Sequence, residues 1–482
     1  MVVSGAMQAQ VLTPLANFNG TNGGNPYKNM ALVEGLDGNL YGVTFYGGTS
    51  ADGTVFKVSG GSITALHSFS ISDGFEPVGG LVLATNGKLY GTTELGGTIG
   101  GKSCGPSCGT IFRISSAGAF KSMYTFCTLG ECADGEFPLA GLIQGATGSF
   151  YGTTEGGGTG CGGCGTAFKM SAAGKLKTLY NFTGQLGTGD GYVPTAPLLQ
   201  ASDGNFYGTT SDGGGSFCNC GTVFQMIPAG KVKVLYSFGS SGDYSQGASP
   251  YGGLVEGLDG NLYGTTTIGG SPSGGPGTIF KITKGGVLTT VHSFAGYAGD
   301  GAGPGSNLIV GSDGNIYGTT VNGGSGAAAC NCGTIFRLNS DGTVTLLYSF
   351  TNKADGALPF GGIMQATDGS FYGATTVGGS NTSTLCAYDS THTCGVVYGL
   401  SIGLAPFVKA LPASGKVGKA VKILGSSLTG ASAVSFNGTP AAFAVASATE
   451  IKTKVPAGAT TGYITVTTPG GGLQSNVPFR VP

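Results

Sequence analysis

The chain has 482 residues, of which 97 are glycine, and only 9% are charged, giving a formal net charge of −1 at pH 7. A balance so close to neutral gives no electrostatic reason to expect binding to nucleic acid or an anionic membrane. No apolar run reaches the roughly 18 residues of a membrane-spanning helix. A hydrophobic content of 40%, with 26 Phe and 20 Tyr, argues against disorder.

The N terminus combines a short stub with a predicted strand. Residues 1–10, MVVSGAMQAQ, are too few for a signal peptide but read like the end of one, and a cloning scar is an equal alternative. Residues 11–18, VLTPLANF, align with the VLYSF and VHSF segments that end later repeats. Pro14 fits such a strand only at an outer edge, where a missing N–H is tolerated.

Seven near-copies of the octet DGNLYGTT follow along the chain. Their tyrosines are 49 to 61 residues apart, a period typical of propellers, solenoids and arrays. They are Tyr41, Tyr90, Tyr151, Tyr207, Tyr263, Tyr317 and Tyr372.

Each repeat predicts four antiparallel strands. In the fifth, these are residues 253–257 (GLVEG), 261–266 (NLYGTT), 277–283 (GTIFKIT) and 287–294 (VLTTVHSF). Tight turns join the first to the second and the third to the fourth, whereas a Gly-rich loop joins the second to the third. We expect the Gly after each repeated Tyr to leave room for an aromatic ring.

The predicted fold class is all-β, a seven-bladed β-propeller over residues 11–401 whose blades each have four antiparallel strands. The seventh repeat lacks a fourth strand. We therefore expect the N-terminal strand to pair with residues 395–401 and close the ring.

All twelve cysteines fall into close pairs, which predicts local disulfides and an oxidising compartment. Zinc is the alternative, because CGGC at residues 161–164 has the spacing of a zinc knuckle, but no pair has a second pair or a His close by in sequence. A redox role for that C-x-x-C also stays open. The pairs are Cys104/Cys108, Cys127/Cys132, Cys161/Cys164, Cys218/Cys220, Cys330/Cys332 and Cys386/Cys394.

The sequence changes character after residue 401. Residues 402–414 predict a linker, and residues 415–482 carry short alternating strands that predict a small β-sandwich. The repeated D-G-N-L-Y-G-T-T-x-x-G-G signature resembles the GloVer-type tandem repeat of bacterial secreted and surface proteins. The segments VSFNGTPAAF and VPAGATTGYITVTTPGG resemble an IPT/TIG domain, an immunoglobulin-like fold. The resemblance implies export and β-repeat architecture and transfers no catalytic residues.

The long loops between second and third strands, and the connections between repeats, should share one end of the blades, where function is expected. The connections carry a D-G-x-x-P motif, including Asp134. Its carboxylates predict either an oxygen ring for Ca²⁺ or a sugar, or Asx-type turns that cap nearby N–H groups. Apart from Ca²⁺, the sequence predicts no metal or cofactor.

Acidic residues gather at this end in the second and third repeats. Glu94 and Glu155 each follow a YGTT strand, and a glycosidase needs two carboxylates roughly 5 to 9.5 Å apart. Glu76 and Glu136 precede the same blades, and Asp212 lies one step further on in the fourth repeat. His67 and His292 replace a strand Tyr and His392 lies in a Cys loop, so we interpret them as structural. No Ser–His–Asp set, P-loop or metal-binding His pair occurs.

Two functions fit this pattern. One is a secreted or cell-surface propeller that binds a glycan or a partner protein at its long loops, with Glu76, Asp134, Glu136 and Asp212 as candidate binding residues. The other is a carbohydrate-active hydrolase or lyase that uses Glu94 and Glu155. The sequence predicts no oligomeric state.

Overall fold

The computed structural model describes residues 10–27, 30–103, 107–161, 163–184, 189–215, 217–240, 242–270, 275–297, 299–324 and 330–482. Most of the predicted N-terminal stub, residues 1–9, lies outside these. Within the described ranges the protein is all-β, with a single 3₁₀ turn at Gly130–Cys132. None of these ranges contains a helix long and apolar enough to cross a membrane.

The repeats fold as four-stranded antiparallel sheets, which we call units one to seven. The strands of the first three units are Val33–Glu34, Leu40–Thr44, Thr54–Ser59 and Ser62–Ser68; Phe75–Leu83, Leu89–Leu95, Thr110–Ile114 and Phe120–Thr125; and Ile143–Gln144, Phe150–Thr154, Thr166–Met170 and Leu176–Asn181. Unit two also carries a short hairpin, Thr98–Ile99 with Lys102–Ser103.

Units four to six repeat the pattern. Their strands are Leu199–Gln200, Phe206–Thr210, Thr222–Met226 and Val232–Ser237; Val255–Glu256, Leu262–Thr266, Thr278–Ile282 and Leu288–Ser293; and Ile309–Val310, Ile316–Thr320, Thr334–Leu338 and Val344–Ser349.

Unit seven combines both ends of the repeat region. Its own strands are Ile363–Gln365, Phe371–Thr375 and Val396–Ser401. Val11–Asn17 pairs antiparallel with the last of these, as the sequence predicts, and forms the edge of the sheet. The register shifts just after Pro14, which is where the missing N–H would otherwise interrupt the ladder.

The repeated octet folds as a braced hairpin. In unit one the Asp37 carboxylate accepts hydrogen bonds from the Asn39 amide group at 2.8 Å and from the Tyr41 hydroxyl at 2.8 Å. Gly38, between them, has a left-handed φ of 73°, which a residue with a Cβ adopts at a cost. The Asp, Gly and Tyr of the octet are therefore parts of one turn.

The Gly after the repeated Tyr makes room for an aromatic ring, as predicted. A Cβ at Gly42 would lie 2.6 Å from Cζ of Phe56, which is the residue opposite it on the third strand. The same approach recurs at Gly91–Phe112, Gly152–Phe168, Gly208–Phe224, Gly264–Phe280, Gly318–Phe336 and Gly373–Tyr398.

Side-chain hydrogen bonds join neighbouring units. Gln144 Oε1 of unit three accepts from Thr85 N–H of unit two at 2.8 Å, and Glu34 Oε2 of unit one accepts from Thr367 N–H of unit seven at 2.9 Å. The equivalent residues Gln200, Glu256 and Gln365 bond in the same way to the preceding unit. At the other two junctions this position holds Leu83 and Val310, whose side chains have no atom that can accept a hydrogen bond.

The C-terminal region forms two further four-stranded sheets around a separate apolar core. The first contains Lys409–Leu411, Ala420–Leu424, Glu450–Lys454 and Phe443–Ser447, and the second contains Thr439–Pro440, Ala433–Phe436, Ile464–Thr468 and Gly471–Gln474. The strand Lys409–Leu411 lies inside the predicted linker, residues 402–414, so the sandwich starts earlier than the sequence suggested.

This sandwich contacts the end of the units that carries the tight turns. Lys409 Nζ lies 3.5 Å from Glu34 Oε2, and Thr449 Oγ1 donates to Leu36 O at 2.6 Å. Arg480 Nη1 donates to Ala201 O of unit four at 2.6 Å. Phe407 N–H donates to Thr367 O of unit seven at 3.0 Å. The sandwich therefore contacts units one, four and seven and leaves the opposite end of the units uncovered by these contacts.

Candidate functional site

The end of the sheets opposite the tight turns, which we call the loop end, carries the long second-to-third loops and the connections between units. A cavity of about 460 Å³ lies there, which we call the loop-end cavity. It is lined by Tyr27, Leu139, Glu155, Val193, Thr195, Tyr251, Thr267, Gly303, Gly305, Val321, Asn322 and Phe360.

Half of this lining comes from one repeated position, the residue after the Pro of each connection. Six of the seven connections contribute it, as Tyr27, Leu139, Thr195, Tyr251, Gly305 and Phe360, and the seventh residue, Val78, is buried. The surrounding repeat is nearly constant while this position varies in size and polarity. Such variation on a constant frame is what a ligand-selective surface requires.

A backbone bend before each Pro sets that position. The preceding residue is left-handed in every connection, with φ between 51° and 62°, at Asn25, Glu76, Phe137, Val193, Ser249, Gly303 and Leu358. Left-handed φ is strained for side chains such as Val, so the surrounding contacts must stabilise it. The carbonyl at the bend accepts from the N–H that follows the second strand, for example Phe137 O from Glu155 N at 2.8 Å.

The residue after each YGTT strand is the second repeated position near the cavity, and here the units differ. In unit five the Thr267 hydroxyl returns to Ser249 O at 3.0 Å, and in unit four Ser211 does the same with Val193 O at 3.2 Å. Units one, two and three carry Phe45, Glu94 and Glu155 instead. Glu155 lines the cavity, whereas Glu94 is not among its lining residues.

The remaining predicted acids also lie at the loop end, in the connections or just after the second strands. Burial raises the pKa of Tyr46, and the charge of Glu76, the neighbouring Tyr27 and the charge of Glu94 add to the increase. Burial also raises the pKa of Glu136.

Two further predicted residues are positioned by short contacts. Glu136 N–H donates to Gly156 O at 3.0 Å, which sets Glu136 next to the strand end that carries Glu155. Asp212 accepts from the Ser211 hydroxyl at 2.9 Å and faces Tyr192, whose pKa is raised by burial and by the Asp212 charge.

The carboxylates of the D-G-x-x-P motif are used by the protein itself. Asp134 is 1% exposed and accepts from the Tyr124 hydroxyl at 2.6 Å, the Thr128 hydroxyl at 2.7 Å and Thr128 N–H at 3.0 Å. Asp190 and Asp355 have equivalent Tyr and Thr partners. This geometry favours the turn-capping alternative over an oxygen ring for Ca²⁺ or a sugar.

The two histidines that replace the strand Tyr reach the same carboxylates. His67 Nε2 lies 2.9 Å from Asp73 Oδ2, and His292 Nε2 lies 2.5 Å from Asp300 Oδ2. Burial raises the pKa of Asp73, but hydrogen bonds from His67 and from Ser70 N–H outweigh it and hold that pKa below its ordinary value. Both histidines are therefore built into the units, as the sequence suggested.

Aromatic rings cluster at the unit seven to unit one connection. The ring centroid of Tyr27 lies 4.9 Å from Phe360, 5.3 Å from Tyr388 and 5.5 Å from Phe45. Two of these rings, Tyr27 and Phe360, line the cavity. The sequence predicted no such cluster because its members are far apart along the chain.

Five of the six predicted cysteine pairs are bonded to each other in the structure: Cys127–Cys132, Cys161–Cys164, Cys218–Cys220, Cys330–Cys332 and Cys386–Cys394. The sixth predicted pair, Cys104/Cys108, is described only in part. Cys108 is buried and disulfide-bonded, as predicted. Its predicted partner Cys104 lies outside the described residues, so the pairing of these two cysteines stays a prediction.

The cysteine loops also contain the third histidine and a group with metal-ligand spacing. His392 Nδ1 lies 3.2 Å from Cys386 O, inside the loop that Cys386 and Cys394 close. Among the described residues, one group has metal-ligand spacing, Cys127, Cys132 and Glu136. Its two sulfurs are bonded to each other, so they are not thiolates that could bind zinc.

The fold and the loop-end cavity define a propeller-like repeat protein with a C-terminal sandwich. The sequence profile of the Gloeobacter/Verrucomicrobia repeat matches residues 2–162, 107–329 and 274–439, and that of the IPT/TIG domain matches residues 406–481. The chain therefore belongs to the Gloeobacter/Verrucomicrobia repeat family and carries a C-terminal IPT/TIG domain. No curated protein matches the chain.

Solved structures resemble the fold at low sequence identity. A fungal alcohol oxidase of the AA5 family, in complex with copper, is 11% identical with a TM-score of 0.50, over 99% of each chain. A protein of unknown function from Bacteroides thetaiotaomicron is 17% identical with a TM-score of 0.38, over 64% of this chain and 72% of that one. TolB from Acinetobacter baumannii is 13% identical with a TM-score of 0.34, over 68% and 63%. The first of these likenesses supports a shared fold across both domains.

Proposed function

We propose that this protein is an exported β-propeller binding protein that takes a glycan or a partner protein at its loop end, with the loop-end cavity as the centre of the site. The observation that carries the proposal is the ring of residues after the repeat prolines. The frame is repeated, whereas the position after the Pro, which supplies half of the cavity lining, varies among the units.

The proposal includes a closed ring of seven blades over residues 11–401. Pairing of the N-terminal strand with the last repeat strand supports closure. The Glu34–Thr367 hydrogen bond supports it too, because it joins units one and seven as equivalent bonds join consecutive units. A cavity lined from six connections also requires those connections to converge. The second domain then spans residues 409–482, and residues 402–408 link it to the ring.

Export is supported by the local disulfides, which persist in oxidising compartments. The cell surface and the extracellular medium are both compatible with this chemistry. The family's repeat pattern, present along residues 2–439, adds no catalytic residues to the argument.

The alternative is a glycoside hydrolase or lyase, and one observation favours it. Glu155 lines the cavity, in a position that holds a hydroxyl residue in units four, five and seven. A glycosidase needs a second carboxylate across the scissile bond, and Glu155 is the one carboxylate among the described lining residues. Binding is therefore the better supported function.

The test is a panel of polysaccharides and bacterial surface proteins, scored for both retention and released products. We expect retention by the wild-type protein, loss in Tyr251→Ala, and no change in Tyr297→Ala. Tyr297 is a matched control because it is 72% exposed in a connection and lies outside the cavity lining. Product release that disappears in Glu155→Gln would establish the enzyme instead, and retention unaffected by Tyr251→Ala would contradict the site.

A further inference from the structure

We propose that the loop-end cavity binds a neutral sugar ring of a glycan, packed against the aromatic lining and hydrogen-bonded by the Thr195 hydroxyl. This inference rests on the proposed function, because it decides between a glycan and a partner protein at the same site. Three properties of the cavity carry it: aromatic rings that are held in place, a buried hydroxyl without a partner, and a lining without basic residues.

Aromatic rings form one part of the lining. Tyr27, Tyr251 and Phe360 line the cavity, and none of the three is buried. The ring centroid of Tyr27 lies 4.9 Å from that of Phe360 and 5.3 Å from that of Tyr388. Tyr388 belongs to the loop that the Cys386–Cys394 disulfide closes. Because Tyr27 and Phe360 are packed before a ligand arrives, little side-chain entropy is lost when one binds.

A sugar ring matches the mixture of apolar and polar groups in the lining. One side of a pyranose carries C–H groups that pack on aromatic rings, and its rim carries hydroxyl groups that need hydrogen-bond partners. Leu139 and Val321 add buried apolar surface to the aromatic rings. Asn322 adds an amide group, which is oriented because its Oδ1 accepts from Asn331 Nδ2 at 3.2 Å. A mostly apolar lining with a few placed polar groups is typical of small-molecule sites.

Thr195 favours a sugar over an apolar side chain of a partner protein. It lines the cavity and is 6% exposed, and its hydroxyl has no hydrogen-bond partner among the described residues. Thr195 can therefore rotate about its Cα–Cβ bond and present the hydroxyl to a ligand without breaking a hydrogen bond. A sugar hydroxyl would pair with it, whereas a Leu or Phe side chain in the cavity would leave it buried and unpaired.

The lining also selects against acidic sugars. None of the described lining residues is Lys or Arg. A uronate or sulfate group would therefore lose its hydration in the cavity without meeting a cation, which is costly. A neutral ring has no charge to desolvate, so the lining favours it.

The test is isothermal titration calorimetry with neutral hexasaccharides of β-1,4-linked glucose, mannose, xylose and N-acetylglucosamine, and with hexagalacturonate as the acidic control. We expect binding of at least one neutral hexasaccharide and none of hexagalacturonate. Thr195→Val keeps the shape of the side chain and removes the hydroxyl, so it should weaken this binding by about three- to tenfold. Thr195→Ser, which keeps the hydroxyl, should bind like the wild-type protein.

Thermal unfolding separates a role in binding from a role in folding. Thr195→Val should not lower the melting midpoint, because the hydroxyl that it removes has no partner among the described residues. Thr265→Val is the matched control. Thr265 is 1% exposed, its hydroxyl also has no partner among the described residues, and it lies outside the cavity lining. The same substitution there should leave the affinity unchanged.

Binding of no neutral hexasaccharide, equal affinity for hexagalacturonate, or equal affinities of Thr195→Val and Thr265→Val would each overturn the inference. Failure of the inference differs from failure of the proposed function. If a protein or an acidic polysaccharide is retained through Tyr251 and no neutral hexasaccharide binds, the site stands and the ligand class is wrong. If nothing is retained through Tyr251, both are wrong.

Discussion

Replacing Gly208, the Gly of the repeated YG in unit four, by Ala tests why the octet recurs. The new Cβ would lie 2.6 Å from Cζ of Phe224 and 2.9 Å from Cδ2 of Leu198. To reach an ordinary contact of 3.4 Å the ring must move by about 0.8 Å. Phe224 is fully buried and Leu198 is 3% exposed, so neither can move into solvent.

Overpacking of this kind costs about 1–3 kcal/mol. For a cooperative unit of this size the unfolding entropy is large, so the loss corresponds to a melting midpoint lower by roughly 1–3 °C and to a lower urea midpoint. Urea unfolding monitored by circular dichroism measures it. Gly285→Ala is the matched control: Gly285 has no left-handed φ, and its nearest neighbour would be 3.6 Å away.

A second substitution separates overpacking from other causes. In the Gly208→Ala background, Phe224→Leu removes the atoms that clash, so it should destabilise less than Phe224→Leu does in the wild-type protein. The difference is the coupling energy of a double-mutant cycle. Equal stability of Gly208→Ala and Gly285→Ala, or strict additivity in the cycle, would refute the close-packing account of the repeat.

Three further predictions concern acid stability, the cysteines and the domain contact. The folded pKa of Asp73 is below the ordinary value of 3.8, so the charged Asp73 stabilises the protein above about pH 4 and this stabilisation is lost as the pH falls further. In acid unfolding curves, the stability difference between wild type and Asp73→Asn should therefore shrink below about pH 4. A stability difference that does not depend on pH would contradict this prediction. Non-reducing peptide mapping should find all twelve cysteines in the local pairs, including Cys104 with Cys108, and free thiols or stoichiometric zinc would contradict this. Lys409→Met should destabilise the protein by about 1–3 kcal/mol, because it leaves the largely buried Glu34 without its cation; the effect should vanish in a Glu34→Gln background, and its persistence there would contradict the ion-pair explanation.

The strands were predictable because the repeat aligns seven copies of one unit. The Gly in YG was assigned correctly, since a Gly inside a strand signals a close approach, and Phe56 and its equivalents lie opposite. The predicted linker, residues 402–414, extends too far because it includes the strand Lys409–Leu411. This strand is only three residues long and pairs with a strand that follows it in the sequence. Short edge strands carry too little pattern to be recognised alone.

The candidate site was predictable only in outline. The loop end and Glu155 followed from strand connectivity, but the cavity lining did not, because residues such as Tyr251 and Phe360 belong to no motif. The sequence feature that marks these lining residues is a variable residue directly after a repeated Pro. It can be recognised once the seven connections are aligned with one another. The sequence left the role of Asp134 open, because turn capping and ligand binding use the same carboxylate oxygens. Only the structure shows that the Tyr124 and Thr128 hydroxyls donate to these oxygens.

The chain contains no Trp, so one introduced Trp gives a fluorescence signal from a single place. Tyr251→Trp would put it in the cavity lining at a site that is 38% exposed and can hold a larger ring, and Tyr297→Trp would put it in a connection outside the lining. Titration with the ligand that the binding panel identifies should shift or quench emission from Tyr251→Trp, saturating at the measured affinity, and leave Tyr297→Trp unchanged. Full binding with no emission change in Tyr251→Trp would contradict a binding site in the loop-end cavity.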